Sequence, residues 1–164
     1  MSNSEDTKSY LSLEKLDAYK KARELSKIVW KIYNKLIWED KKIGGYQFIQ
    51  STDSVAANVA EGYGRFHYLD KAKFYSNFAN TSRLAARMKR SSEQTLPKEY
   101  FAACCEVVYY NARGSLLESL HWLELLDERG KIDKKDKSDY LQCYKSLRPL
   151  LNGLIRSVIK QKSS

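Results

Sequence analysis

Glu118 and His121 stand three residues apart, an interval that places a carboxylate and an imidazole on one face of a helix. Glu-x-x-His is the ligand spacing of di-iron helical bundles, but such a centre needs the motif twice, with two more inward carboxylates. The chain has 2 histidines, and the other, His67, falls in the segment Phe66-His67-Tyr68. The pair therefore reads as structural, and neither a metal nor a cofactor is expected. A helical ribonuclease would set an arginine a short interval before a histidine. Arg65 with His67 and Arg113 with His121 both miss that interval. Ser115 and the three cysteines, Cys104, Cys105 and Cys143, have no base marked beside them in the sequence. An odd cysteine count with no Cys-x-x-Cys argues against a disulfide framework and against zinc, and fits small buried residues in a reducing compartment. Gly62 and Gly64 do not follow a strand, so a phosphate loop is not indicated. No catalytic residue is expected, and the chain reads as non-enzymatic.

Cations offer a different chemistry. The 164 residues carry 29 Lys+Arg against 20 Asp+Glu, a formal charge of +9. Such an excess attracts polyanions. Lys20, Arg23, Lys27, Lys31 and Lys35 recur at three and four, which draws a stripe along one side of a helix. The alternative is a solvated face partly offset by Glu14, Asp17 and Glu24. Arg83, Arg87, Lys89 and Arg90 form a second cluster. Lys145, Arg148, Arg156, Lys160 and Lys162 form a third, with no acid from Lys145 onward. Tyr63, Phe66 and Tyr68 flank Arg65 and His67, and rings beside cations suit stacking on unpaired bases. Tyrosines in a bundle are more often core or interface residues with a wet hydroxyl, and that reading stands first.

The elements that position these residues are helices. Only 2 Pro and 7 Gly interrupt a chain that is 43% hydrophobic, too few for the turns of a sandwich or barrel. Residues 1–9 are a polar, disordered tail, and residues 10–160 form one domain. The first helix is expected from Ser12, as its cap, to Trp38, with Leu16, Tyr19, Ala22, Leu25, Val29, Ile32, Tyr33 and Leu36 on its apolar face. A charged connector then ends at Gly44-Gly45. The second helix spans Tyr46 to Glu61, and Gly62 and Gly64 stop it. A third, capped by Asp70, runs to Ser92, and the Gln94-to-Pro97 turn breaks it. A fourth runs from Pro97 to Glu128, Gly130 closes it, and Asp133 or Asp136 opens the last. That helix carries Tyr140, Leu147, Leu151 and Val158, and Pro149 should kink or split it. Short connections between long amphipathic helices predict an all-α, up-and-down antiparallel four-helix bundle. The opening MSNSEDTKSY has no apolar run of a secretory leader, and no stretch approaches the ~18 apolar residues of a membrane span. A cytoplasmic location without membrane contact is expected.

Three stretches look familiar. The run from Ser54 to Arg65 contains Asn58, Glu61, Gly62 and Gly64, and Phe66-His67-Tyr68 follows it. It resembles the signature of a bacterial four-helix-bundle family that takes in the proteins encoded by intervening sequences in 23S ribosomal RNA genes. That family also includes the accessory variability protein (Avd) of diversity-generating retroelements. Ala112-Arg113-Gly114-Ser115-Leu116-Leu117-Glu118, closed by Gly130-Lys131-Ile132, is similar to another segment of the family. Leu16-Asp17-Ala18-Tyr19-Lys20-Lys21-Ala22 is similar to its first helix. Against the family pattern, residues 76–108 read as an insert, either a helical hairpin or an extra helix.

The resemblance implies a homo-oligomer, typically a pentameric ring, with basic surfaces that bind RNA or DNA. In the retroelement branch it also implies pairing with a reverse transcriptase. On this reading Lys20, Arg23, Lys27, Lys31, Lys35, Arg65, Arg83, Arg87 and Arg90 are the candidate nucleic-acid contacts. Asn58, Glu61, Gly62, Gly64, Arg113 and Gly114 belong to the structural motif, with Arg65 best placed for a phosphate or a neighbouring subunit. The competing reading is a protein–protein interaction scaffold with no nucleic-acid role.

Overall fold

A computed structural model describes residues 12–67 and 98–162. These residues form helices and short turns, with no strand among them. The tail 1–9, the helix expected over 70–92 and the Gln94-to-Pro97 turn lie outside the described residues, as does residue span 76–97 of the proposed insert.

The first helix, α1, is Asp17–Lys35, shorter at both ends than its periodicity predicts. Ser12 makes no side-chain cap; it precedes a 3-10 turn, Leu13–Lys15, that ends at an extended Leu16. At the other end the backbone becomes extended at Leu36 (ψ 144°), whose side chain is buried. Burying Leu36 turns the chain inward before Trp38.

The connector is helical, not a charged loop. A single helical turn, Trp38–Asp40, runs into a π-helical turn, Lys41–Gly45, and on into α2, Tyr46–His67. Gly44 and Gly45 are buried. A methyl group on Gly45 would stand 3.0 Å from Leu36 Cδ1 and 3.1 Å from Tyr33 Cδ2, so glycine lets the π turn lie flat against the end of α1. The expectation that Gly62 and Gly64 stop α2 is wrong: the helix continues through both to His67. Neither has the positive φ of a helix-ending glycine; Gly130 alone has one among the described residues. Gly62 serves packing instead, since a methyl group there would sit 2.4 Å from Cε1 of Tyr109.

Helix α3, Lys98–Glu128, stops where the sequence reading places it. Gly130 takes φ 68°. Its N–H donates to Asp127 O at 2.8 Å and the Lys131 N–H donates to Leu126 O at 2.9 Å. This is the paired closure of a helix end by a left-handed glycine. Helix α4, Lys134–Lys162, then begins at once, with Asp133 Oδ1 accepting the Asp136 N–H at 2.8 Å as its N-terminal cap. Pro149 lies inside α4 and does not split it.

Each helix packs against its neighbours in the chain, and α4 closes the ring on α1. Directions alternate. Gly44 faces Trp122 while Gly62 faces Tyr109, so α2 and α3 are antiparallel. Lys35 meets Asp133 while the Lys21 carbonyl meets Cys143, so α1 and α4 are antiparallel too. The fold is an all-α helical bundle, as the sequence predicts. Its main core gathers Leu25, Val29, Ile32, Phe48, Val55, Val59, Leu116, Leu123, Tyr140 and Leu147. Each such side chain contributes roughly 1.5–3 kcal/mol on leaving water. A smaller cluster of Cys105, Tyr109, Ile155 and Val158 fills the end farther from the connector. The buried Tyr140 hydroxyl shares a hydrogen bond with Ser119 Oγ at 2.6 Å.

Candidate nucleic-acid interface

Helix α1 does present Lys20, Arg23, Lys27, Lys31 and Lys35 to the outside, but its two ends differ in chemistry. Lys31 Nζ donates to Asp136 Oδ1 at 2.9 Å, and Lys35 Nζ donates to Asp136 Oδ2 at 2.5 Å and to Asp133 Oδ2 at 2.7 Å. Asp136 is only 3% exposed, so a buried carboxylate in the first turn of α4 is neutralised by two lysines of α1. Its position in that first turn also suits the partial positive charge of the helix start. The hydrogen bond from Lys35, backed by the Asp136 N–H, pulls the Asp133 carboxyl down to about 2. Lys35 is in turn held above its ordinary range by the hydrogen bonds to Asp133 and Asp136. These two lysines clamp α1 to α4. At the other end Lys20 pairs with Asp17, an exposed contact of little strength. Arg23 and Lys27 are exposed and make no ion pair among the described residues.

Arg65 lies inside α2, not beyond its end, and pairs with Glu61 one turn earlier. Asn58 donates to the Ser54 carbonyl of its own helix at 2.8 Å. Arg113 is exposed, with its guanidinium 5.1 Å from the centre of the Tyr110 ring, and Gly114 is exposed with open space around it. Arg83, Arg87 and Arg90 lie outside the described residues. The candidates therefore occupy separate faces: the lysine stripe on α1, Arg65 on α2 and Arg113 on α3.

A more uniform basic surface lies on α4. Lys145, Arg148, Arg156 and Lys160 are exposed, and the helix holds no carboxylate from Lys145 onward. Lys145, Arg148 and Arg156 make no ion pair among the described residues. An anion approaching α4 from Lys145 onward meets no acid on that stretch of the helix.

The sequence reading missed two features. The Asp133–Asp136 clamp hides in the sequence because its lysines lie about a hundred positions earlier. The second is an apolar patch at the connector, where Ile37, Trp38, Ile43 and Tyr46 are each more than half exposed, with Trp30 beside them. Trp30 stacks on Tyr33 at 5.6 Å, and Lys41 and Lys42 lie over the Tyr33 and Trp38 rings. A signal for it exists in the sequence: Trp30 sits one position off the buried row of Val29 and Ile32.

Glu118 and His121 are both exposed, and no group of three or more His, Cys, Asp or Glu capable of holding a metal occurs among the described residues. Burial pushes the Cys105 thiol up to about 12 and the Cys143 thiol to about 11, where a thiolate nucleophile is scarce at neutral pH. No described helix is long and apolar enough to cross a membrane.

No curated protein and no solved structure matches the chain. A family model described as 23S rRNA-intervening sequence protein matches residues 14–92, which include α1, the helical connector and all of α2. The match takes in the run from Ser54 to Arg65, and over residues 14–92 the chain is similar to the 23S rRNA-intervening sequence proteins.

Proposed function

We propose that the protein is a non-enzymatic, self-associating helical bundle of the cytoplasm that holds RNA or DNA on its basic faces. The observation that carries this reading is the stretch of α4 from Lys145 onward, where Lys145, Arg148 and Arg156 are exposed and no carboxylate occurs. Arg23 and Lys27 add a smaller basic surface on α1. The exposed apolar side chains Trp30, Ile37, Trp38, Ile43 and Tyr46, gathered on the end of α1, the connector and the start of α2, support self-association, since exposed apolar surface marks contact sites. Repeating a +9 chain around a ring, pentameric by the family resemblance, multiplies each weak phosphate contact into a multivalent one. An rRNA-associated role, or service to a reverse transcriptase as in Avd-like relatives, fits the same surfaces.

The test is retention of nucleic acid at graded salt. Affinity should fall steeply as salt rises, because each neutralised phosphate releases counterions. Charge reversal at Lys145 and Arg156 should weaken binding to every sequence alike. Absence of binding in dilute buffer would sink the reading. The second reading, a protein-binding scaffold without nucleic acid, is favoured by the Trp38 patch, and it predicts capture of a protein partner that is lost on replacing Trp30 and Trp38 by serine.

A further inference from the structure

We infer that the groove between α3 and α4 walled by Arg113 and Arg148 is the seat of a single-stranded nucleic acid, with a phosphate between the two guanidiniums and a base on the apolar floor. This rests on the nucleic-acid reading above and assigns it a site. The groove has a volume of about 260 Å³ and is lined by Arg113, Leu116, Leu117, Tyr144, Arg148 and Asn152.

Three observations meet there. The first is that neither arginine has an acidic partner among the described residues. The positions three and four residues away from Arg113 are Tyr109, Tyr110, Leu116 and Leu117, and those around Arg148 are Tyr144, Lys145, Leu151 and Asn152. None carries a carboxylate, although helical neighbours at that interval are where a surface arginine ordinarily finds one. Neither arginine makes an ion pair across the groove among the described residues. The second is that Arg113 is steadied by the Tyr110 ring at 5.1 Å, which orders a planar fork suited to two phosphate oxygens. The third is the floor. Leu117 is 53% exposed beside the nearly buried Tyr144, and the half-buried Asn152 offers an amide at its edge. The exposed apolar surface of Leu117 beside the cations seats the face of an unpaired base, and the amide can read its edge. A duplex hides those faces, so the groove selects single strands.

Other grooves lack this combination. The larger one between α1 and α4 includes Glu24 and Asp139 in its lining, and the one near Gly130 includes Asp133 and Asp136. In both, carboxylates offset the lysines, and a third groove lined by Lys134, Lys137 and Lys145 has no acid but also no arginine fork and no ring.

The test measures binding of fluorescein-labelled oligouridylate by anisotropy across a salt series, with an RNA duplex and polyglutamate as competitors. R113Q/R148Q should bind roughly tenfold more weakly, and the slope of log affinity against log salt should flatten by about 0.7, for the one single-strand phosphate that the arginine pair no longer neutralises. R113K/R148K keeps the charge without the fork and should fall between the two. Should R113Q/R148Q fail to fold, wild-type affinity in R113K/R148K overturns the proposal. An unchanged affinity and slope in R113Q/R148Q overturns the groove while leaving nucleic-acid binding on other faces intact. Wild-type protein that ignores oligouridylate in dilute buffer overturns both. Polyglutamate that displaces oligouridylate from this site as well as free oligouridylate does would assign it to an acidic protein, and the proposal falls. Displacement by single strands but not by duplex supports it.

Discussion

Gly62 and Gly114 share a residue type and a helical setting but have opposite reasons to be there. At Gly62 a methyl group would collide with the Tyr109 ring, which is buried and fixed in the smaller core cluster. Gly62→Ala should therefore cost about 1–3 kcal/mol by overpacking. At Gly114 nothing lies within 4 Å, so Gly114→Ala removes only backbone freedom and should stabilise by roughly 0.5–1 kcal/mol. Chemical denaturation of both variants checks the pair, and equal signs would contradict the packing described. Acid stability is also set by single residues. Asp133 is depressed to about 2 in the fold, so its contribution is complete above about pH 4 and disappears as the pH falls through about 2. The melting temperatures of wild type and Asp133→Ala should converge over that window.

At the scale of the element, much was legible. The three-and-four spacing of Leu25, Val29 and Ile32 gave α1 its buried face, and Gly130 ended α3 as expected. Gly130→Ala should destabilise by about 1 kcal/mol, because φ 68° is costly for any residue with a Cβ, and thermal melting reads this directly. The errors have physical causes. Glycine in a sequence reports either a left-handed turn or a close approach, and only the Tyr109 ring, some forty-seven positions later, tells which applies at Gly62. Likewise Gly44-Gly45 looks like the end of a connector until Trp122 is seen against Gly44, and Tyr33 and Leu36 against Gly45. The lysine stripe of α1 was visible, but its use was not: Lys31 and Lys35 turn to Asp133 and Asp136 on a helix whose place beside α1 is a fact of the whole fold.

At the scale of the molecule, the connector's exposed rings and the acid-free stretch of α4 lie apart. The connector end carries the Trp30, Trp38 and Tyr46 patch, whereas the acid-free part of α4 lies toward the other end. A subunit could thus contact its neighbours with one end and leave the other free for a polyanion. Replacing Trp30 and Trp38 by serine should lower the mass seen in sedimentation velocity without lowering the helical content. A wild-type chain that sediments as a monomer at all concentrations would remove the case for assembly.

The two clusters of buried side chains give α4 an uneven life along its length. Between Tyr140 and Leu151 it is clamped by the large core shared with α1, α2 and α3, whereas among the described residues Ile155 and Val158 are buried in the separate, smaller cluster with Cys105 and Tyr109. Amide protons near Ile155 should therefore exchange with deuterium through local opening, well before those near Leu147, which wait for the whole domain to unfold. The part of α4 that holds Arg156 would then breathe while the part that holds Lys145 stays still.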